Sequence, residues 1–141
     1  SDSDFTKLAT RLREAGMQVI GIGEKKTPNP FIVACDKFIY IEIIRRQAQK
    51  EESSVHKENF DKITPKVITL ISSTISDLSD EEGWAFLGDV GSLLQKKQPN
   101  FDSRNYGFEK LTPLIKFSDK FELEQREAPK SKHKLIFVKN K

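Results

Sequence analysis

The sequence is short of the residues that crosslinks, thiolate metal sites and membrane spans require. Among its 141 residues there is a single cysteine, Cys35, which excludes an internal disulfide and a thiolate cluster. The two histidines, His56 and His133, lie far apart along the chain, so zinc chemistry is not expected. No run approaches the ~20 apolar residues of a membrane helix, and no secretory signal begins the chain. We therefore expect a cytoplasmic protein.

The net charge of +3 is small, but the charges are unevenly distributed. Residues 67–95 contain five acids and no lysine or arginine, whereas residues 128–141 contain five lysines and no acid. A basic end of this kind suits contact with a polyanion, and a solvated tail accounts for it nearly as well. Both interpretations stay open at this point.

The first 44 residues contain alternating short helices and strands. Apolar residues at helical spacing predict a helix over residues 4–15, and prolines at the start of a turn predict another over residues 28–35. Continuously apolar stretches predict strands over residues 17–22 and 37–41. This alternation is typical of a parallel α/β fold, which two strands cannot complete. We therefore expect the tail of a larger domain whose beginning is absent.

The remainder of the chain divides into a polar linker and a second folded segment. Residues 45–63 are polar and mixed in charge, which predicts a flexible linker. Residues 64–141 predict an α+β fold, a winged helix of three helices and a C-terminal β-hairpin. The signals are a Thr64-Pro65 helix start, a short apolar strand at 84–87, a second helix capped by Asp89, a third helix carrying Phe108, Leu111, Leu114 and Ile115, and alternating strands at 121–125 and 134–138.

Two runs in this second segment carry a family resemblance. They are Gly83-Trp84-Ala85-Phe86-Leu87-Gly88-Asp89-Val90-Gly91-Ser92-Leu93-Leu94 and Pro99-Asn100-Phe101-Asp102-Ser103-Arg104-Asn105-Tyr106-Gly107-Phe108-Glu109-Lys110-Leu111. Together they resemble the OST-HTH/LOTUS family over about the last 75 residues. The resemblance implies a winged-helix fold and RNA binding.

The first segment has a resemblance of its own. Residues 1–5, the run from Gly21 to Pro28 and the run from Ala34 to Tyr40 resemble the C-terminal half of a NYN domain, a PIN-like nuclease domain. Bacterial proteins commonly join a NYN domain, a variable linker and one OST-HTH domain in this order. The resemblance implies a parent enzyme that is an endoribonuclease dependent on Mg²⁺ or Mn²⁺. The first acidic strand of that family has no counterpart here, so we expect this chain to be inactive alone.

The NYN resemblance also assigns candidate catalytic and metal-binding residues. It implies that Asp2 and Asp4, at the start of the first helix, hold the metal ion that activates water for phosphodiester cleavage. Two acids alone bind such an ion poorly, because it keeps about six oxygen ligands. The alternative is that Asp4 caps the helix and Asp2 is solvated. Cys35 follows an apolar segment and is interpreted as a buried residue without a catalytic role.

Basic residues of the second segment are the candidates for nucleic-acid contact, and a solvated helix face is the alternative interpretation of several of them. Tyr106 could stack on a base, whereas Trp84 is better explained as a core residue. The predicted nucleic-acid-binding residues are Lys96, Lys97, Arg104, Tyr106, Lys110, Lys116, Lys130, Lys132 and Lys134.

Three function hypotheses follow from these features. The leading one is an RNA-binding OST-HTH module of a metal-dependent ribonuclease, with structured or G-rich RNA as its partner. The alternatives are a protein-docking winged helix, motivated by the acidic first helix of the domain, and a DNA-binding winged helix. No membrane partner is expected.

Overall fold

The computed structural model describes residues 2–49, 60–128 and 134–141. The chain forms two compact units, residues 1–59 with 95–105 and residues 60–94 with 106–141. None of the helices within the described ranges is both long and apolar enough to cross a membrane.

The N-terminal unit alternates helices and strands as predicted. Strands β1 and β2 pair in parallel, with Ile20 opposite Lys37 and Gly23 opposite Tyr40. Its core contains Ile32, Cys35 and Phe38, all buried. The elements are α1 (Asp2–Glu14), β1 (Ile20–Gly23), α2 (Asn29–Ala34), β2 (Lys37–Tyr40) and α3 (Ile41–Gln49).

Most boundaries in this unit differ from the prediction by one or two residues, and two differ by more. Strand β1 starts at Ile20 rather than at residue 17, because the backbone of Val19 is already engaged: its N–H donates to the Asp36 carboxylate at 2.7 Å, and its carbonyl accepts from the Asp36 N–H at 2.9 Å. Helix α3 extends to Gln49, so the first five residues of the predicted linker are helical. Helix α3 packs through the buried side chain of Ile43, and the polar residues that follow continue the helix. Residues 50–59 of that linker lie outside the described residues.

The C-terminal unit is a winged-helix fold of three helices and a three-stranded antiparallel sheet. The sheet order is β3-β5-β4, so the last strand of the chain is central. The predicted helix start at Thr64-Pro65 is confirmed: the Thr64 hydroxyl accepts a hydrogen bond from the Val67 N–H. The elements are α4 (Pro65–Leu78), β3 (Trp84–Phe86), α5 (Leu87–Lys97), a 3-10 turn (Ser103–Tyr106), α6 (Leu111–Ser118), β4 (Phe121–Glu127) and β5 (Lys134–Asn140). The last three residues of α5 and the first three of the 3-10 turn belong to the N-terminal unit.

The core of this unit lies between its helices and one face of the sheet. Each helix contributes two fully buried hydrophobic residues, and Val138 of β5 is fully buried as well. Val138 pairs with Ala85 of β3 and with Leu123 of β4, so these three side chains share the inner face. The helix residues are Ile71, Ile75, Val90, Leu94, Leu114 and Ile115.

Two helix boundaries predicted for this unit are wrong. Helix α5 begins at Leu87, directly after β3, so Asp89 lies within its first turn and does not cap it. The buried side chain of Leu87 joins the core there. Helix α6 begins at Leu111, so Phe108 precedes it. Phe108 packs on Phe117 from the preceding loop, with ring centroids 5.3 Å apart, which explains its helix-like spacing.

Candidate nucleic-acid interface

Helix α6 and the hairpin present three exposed lysines. Lys110 occupies the residue before α6, Lys116 lies in its last turn, and Lys134 begins β5. Leu114 and Ile115 are buried, which fixes the orientation of the helix and leaves Lys116 in solvent. Within residues 2–49, 60–128 and 134–141, no group pairs with the ammonium groups of these three lysines. No described residue therefore competes with phosphate for these three lysines.

The other predicted contacts are placed differently. Lys96 and Lys97 end α5 with exposed side chains, and Lys97 already interacts with other residues. Tyr106 is half-buried in the 3-10 turn and is likewise engaged. Lys130 and Lys132 lie outside the described residues.

The guanidinium of Arg104 is held by neighbouring side chains. Its Nε and Nη2 donate to the two carboxylate oxygens of Asp102 at 2.9 and 2.7 Å, and its Nη1 donates to Gln47 at 3.0 Å. Burial pushes the pKa of Asp102 up, but the hydrogen bonds and positive charge of Arg104 outweigh this effect and hold that pKa below its usual value. Arg104 therefore fixes the shape of its loop, and we leave it out of the proposed phosphate contacts.

Replacing Asp102 by asparagine is expected to destabilise the N-terminal unit by about 1.5–3 kcal/mol at neutral pH, the range for hydrogen bonds to charged groups. Because the carboxyl pKa is lowered by folding, its contribution is present above the unfolded-state pKa of about 3.9 and is lost as the pH falls through the folded-state value. Urea unfolding at neutral and acidic pH measures this difference. Asp119, whose side chain is 88% exposed beside Lys141, provides the control, and D119N should change little. Equal effects of D102N and D119N would contradict the assignment.

The structure places both predicted metal ligands at the N-terminal end of α1. Helix α1 begins at Asp2, so Asp2 and Asp4 both lie in its first turn. Asp4 is exposed and already interacts with another residue. In the part of the chain that the structure describes, there is no group of three or more residues that could hold a metal ion.

The outer face of the sheet holds functional candidates that the sequence interpretation missed, and it includes the half-buried Trp84, which that interpretation had wrongly assigned to the core. The Arg126 guanidinium lies 4.2 Å from the Phe137 ring centroid and 5.8 Å from that of Trp84. The Lys139 ammonium lies 5.7 Å from the same Trp84 ring. We call Trp84, Phe137, Arg126 and Lys139 the aromatic-cation face. A signal was present in the sequence, because aromatic residues alternate with Ala85 and Val138 in β3 and β5.

Comparisons with known proteins agree with both resemblances. The profile of the OST-HTH/LOTUS domain matches residues 58–133, and that of the NYN domain matches residues 1–42. The solution NMR structure of an uncharacterized protein from Nitrosomonas europaea is 34% identical, with a TM-score of 0.52, over 63% of this chain and 84% of that one. A second solution NMR structure, from Chromobacterium violaceum, is 27% identical, with a TM-score of 0.42, over 60% of this chain and 85% of that one. No curated protein matched.

The order of the two matches is the order that the sequence predicted, a short NYN segment followed by a winged helix. The OST-HTH/LOTUS match spans α4 to the end of β4, which is most of the C-terminal unit. The chain therefore belongs to the OST-HTH/LOTUS domain family and carries a NYN segment ahead of that domain.

Proposed function

We propose that this chain is the RNA-binding module of a cytoplasmic, metal-dependent NYN ribonuclease and is itself catalytically inactive. In this proposal residues 64–141 hold RNA, residues 45–63 form the link, and residues 1–44 belong to the nuclease domain. The observation that carries it is a set of exposed lysines at α6 and β5, Lys110, Lys116 and Lys134, which have no partner among the described residues, in a domain of the OST-HTH/LOTUS family.

Lysines of this kind act mainly on the phosphate backbone. Each contact releases a counterion from the nucleic acid, so affinity falls as salt rises and carries little sequence information. Three further predicted contacts, Lys96, Lys130 and Lys132, would strengthen the same salt-dependent binding. RNA binding is therefore expected to be strongest at low ionic strength and to weaken as salt is added.

The charge-reversed double variant K110E/K116E is expected to bind RNA at least about 10-fold more weakly, because two phosphate contacts are lost and two repulsions are added. Fluorescence anisotropy with a labelled single-stranded RNA at low salt measures the affinity. The matched control is K7E/R11E, which changes the net charge equally through exposed residues of α1. If both variants lost RNA affinity equally, the loss would be explained by the change in net charge and not by contacts of Lys110 and Lys116.

The same sample separates the alternatives. Adding Mg²⁺ or Mn²⁺ is expected to produce no cleavage of the RNA, and cleavage would contradict the proposed inactivity. RNA binding that survives reversal at Lys110, Lys116 and Lys134 would favour a protein-docking role for the winged helix. Stronger competition by duplex DNA than by RNA would favour DNA binding.

A further inference from the structure

Strand pairing sends one set of side chains of the C-terminal sheet away from the core. Trp84 pairs with Lys139, and Phe86 pairs with Phe137, whereas the intervening pair of Ala85 and Val138 is buried. Successive residues of a strand alternate between faces, so the first four residues share the outer face. All four are only half-buried, although three of them are aromatic.

The rings on this face differ in what already covers them. The Phe86 ring lies against the start of α5, where a Cβ added to Gly88 would come within 2.7 Å of it. The Phe137 ring contacts Phe86 at a centroid distance of 5.8 Å and carries the Arg126 guanidinium 4.2 Å above it. Trp84 has two cations near its ring, one from Arg126 and one from Lys139. Trp84 and the guanidinium above Phe137 are therefore what a partner would meet.

Arg126 is held in place before any partner arrives. Its Nε and Nη2 both donate to one carboxylate oxygen of Glu124, at 3.1 and 3.0 Å, and its side chain stays 36% exposed. One edge of the guanidinium is thus occupied by Glu124, while its position over Phe137 is set by the ring. A planar cation fixed in this way needs little further ordering to stack on a flat ligand.

We propose that the aromatic-cation face binds unpaired bases of single-stranded RNA, an inference that rests on the RNA binding proposed above. An apolar protein segment would have to bury the guanidinium and the ammonium against its own surface, which is costly. A nucleotide matches both features, because its base stacks on the indole and the guanidinium while its phosphate approaches the two cations. Glu122 is exposed on the same face, and its negative charge lowers the net positive charge of that face. Base stacking rather than charge therefore provides most of the affinity of this face for RNA.

The chain carries a built-in reporter for this contact. Trp84 is its single tryptophan, so indole fluorescence reports on the aromatic-cation face alone. Titration with an unlabelled single-stranded RNA is expected to quench this fluorescence, because a stacked base contacts the ring directly. A blunt-ended duplex at equal absorbance is the matched control, and it should quench much less because its bases are paired.

Two conservative variants test the contact. R126K keeps the positive charge but replaces the planar guanidinium by an ammonium group, and F137L keeps an apolar side chain beside Phe86 but removes the aromatic ring. Each is expected to weaken single-stranded RNA binding about fivefold or more, the range for loss of one base stack, while leaving duplex binding unchanged. Thermal unfolding of both variants checks that the sheet is intact, and W84F, which keeps a ring, should bind nearly as the natural chain does.

The outcomes separate this inference from the one on which it rests. If RNA binds and is lost in K110E/K116E, yet Trp84 fluorescence does not change and F137L and R126K bind normally, the stacking face is wrong and RNA binding stands. The aromatic-cation face would then belong to another partner, such as a protein. If neither single-stranded nor duplex RNA binds at low salt, both proposals fail.

Discussion

Cys35 is expected to react with iodoacetamide at least about 100-fold more slowly in the native protein than in concentrated urea, because a buried thiol reacts only when its surroundings open. Its side chain is 1% exposed, and its Sγ donates to the Phe31 carbonyl at 3.4 Å. Burial raises the pKa of the Cys35 thiol, and the negative charge of Asp36 raises it further, so little thiolate forms at neutral pH. Mass spectrometry of the alkylated chain measures the rate.

This rate also reports whether the N-terminal unit folds in this chain. Cys35 is its only thiol and lies in the core with Ile32 and Phe38, so protection requires α2, β1 and β2 to be packed. The control is the same reaction on the urea-unfolded chain, whose thiol has its ordinary reactivity. Native and unfolded rates that agree would mean that the packing around Phe38 is not formed in solution.

The largest loss of stability is expected from V138D, which should destabilise the C-terminal unit by at least about 4 kcal/mol and unfold most of it. Val138 is fully buried, with a relative exposure of 0%, and it pairs with Ala85 and Leu123 in the two flanking strands. A carboxylate there would have no partner and no solvent. Circular dichroism and the fluorescence of Trp84 measure the unfolding.

The neighbouring residue provides the control for this experiment. Lys139 follows Val138 in β5 but lies on the outer face, where its ammonium contacts the Trp84 ring. K139A should cost less than about 1 kcal/mol, the usual size of an exposed cation-π contact. A V138D variant that unfolds no more readily than K139A would show that the strand alternation is assigned wrongly.

Much of the winged helix was predictable because its sequence signals are local. The Thr64-Pro65 start, the spacing of Ile71 and Ile75 on α4 and the alternation in β4 each depend on residues a few positions apart. Such signals were confirmed. Predictions that needed tertiary context were less accurate. Helix α3 begins directly after β2, and α5 begins directly after β3, so no loop residues mark the start of either helix in the sequence.

The candidate site was predictable only in part, for the same reason. The exposure of Lys116 follows from the apolar spacing of α6. The pairing of Arg104 with Asp102 depends on the shape of a loop, which a charge count does not reveal. The position of Arg126 over Phe137 depends on which residues of β4 and β5 pair, and the register is decided by the folded hairpin.

The alternation in β5 has a consequence for how this domain can diverge. Val138 lies in the core, whereas Phe137 and Lys139 lie on the outer face. Inserting or deleting one residue within Lys134–Asn140 would therefore turn core side chains to the outer face and outer side chains to the core. Stability and the proposed RNA contact would be lost in a single step. Evolution can therefore alter the outer residues of β5 one at a time, but its length is fixed, and changes in length must be absorbed outside the strand.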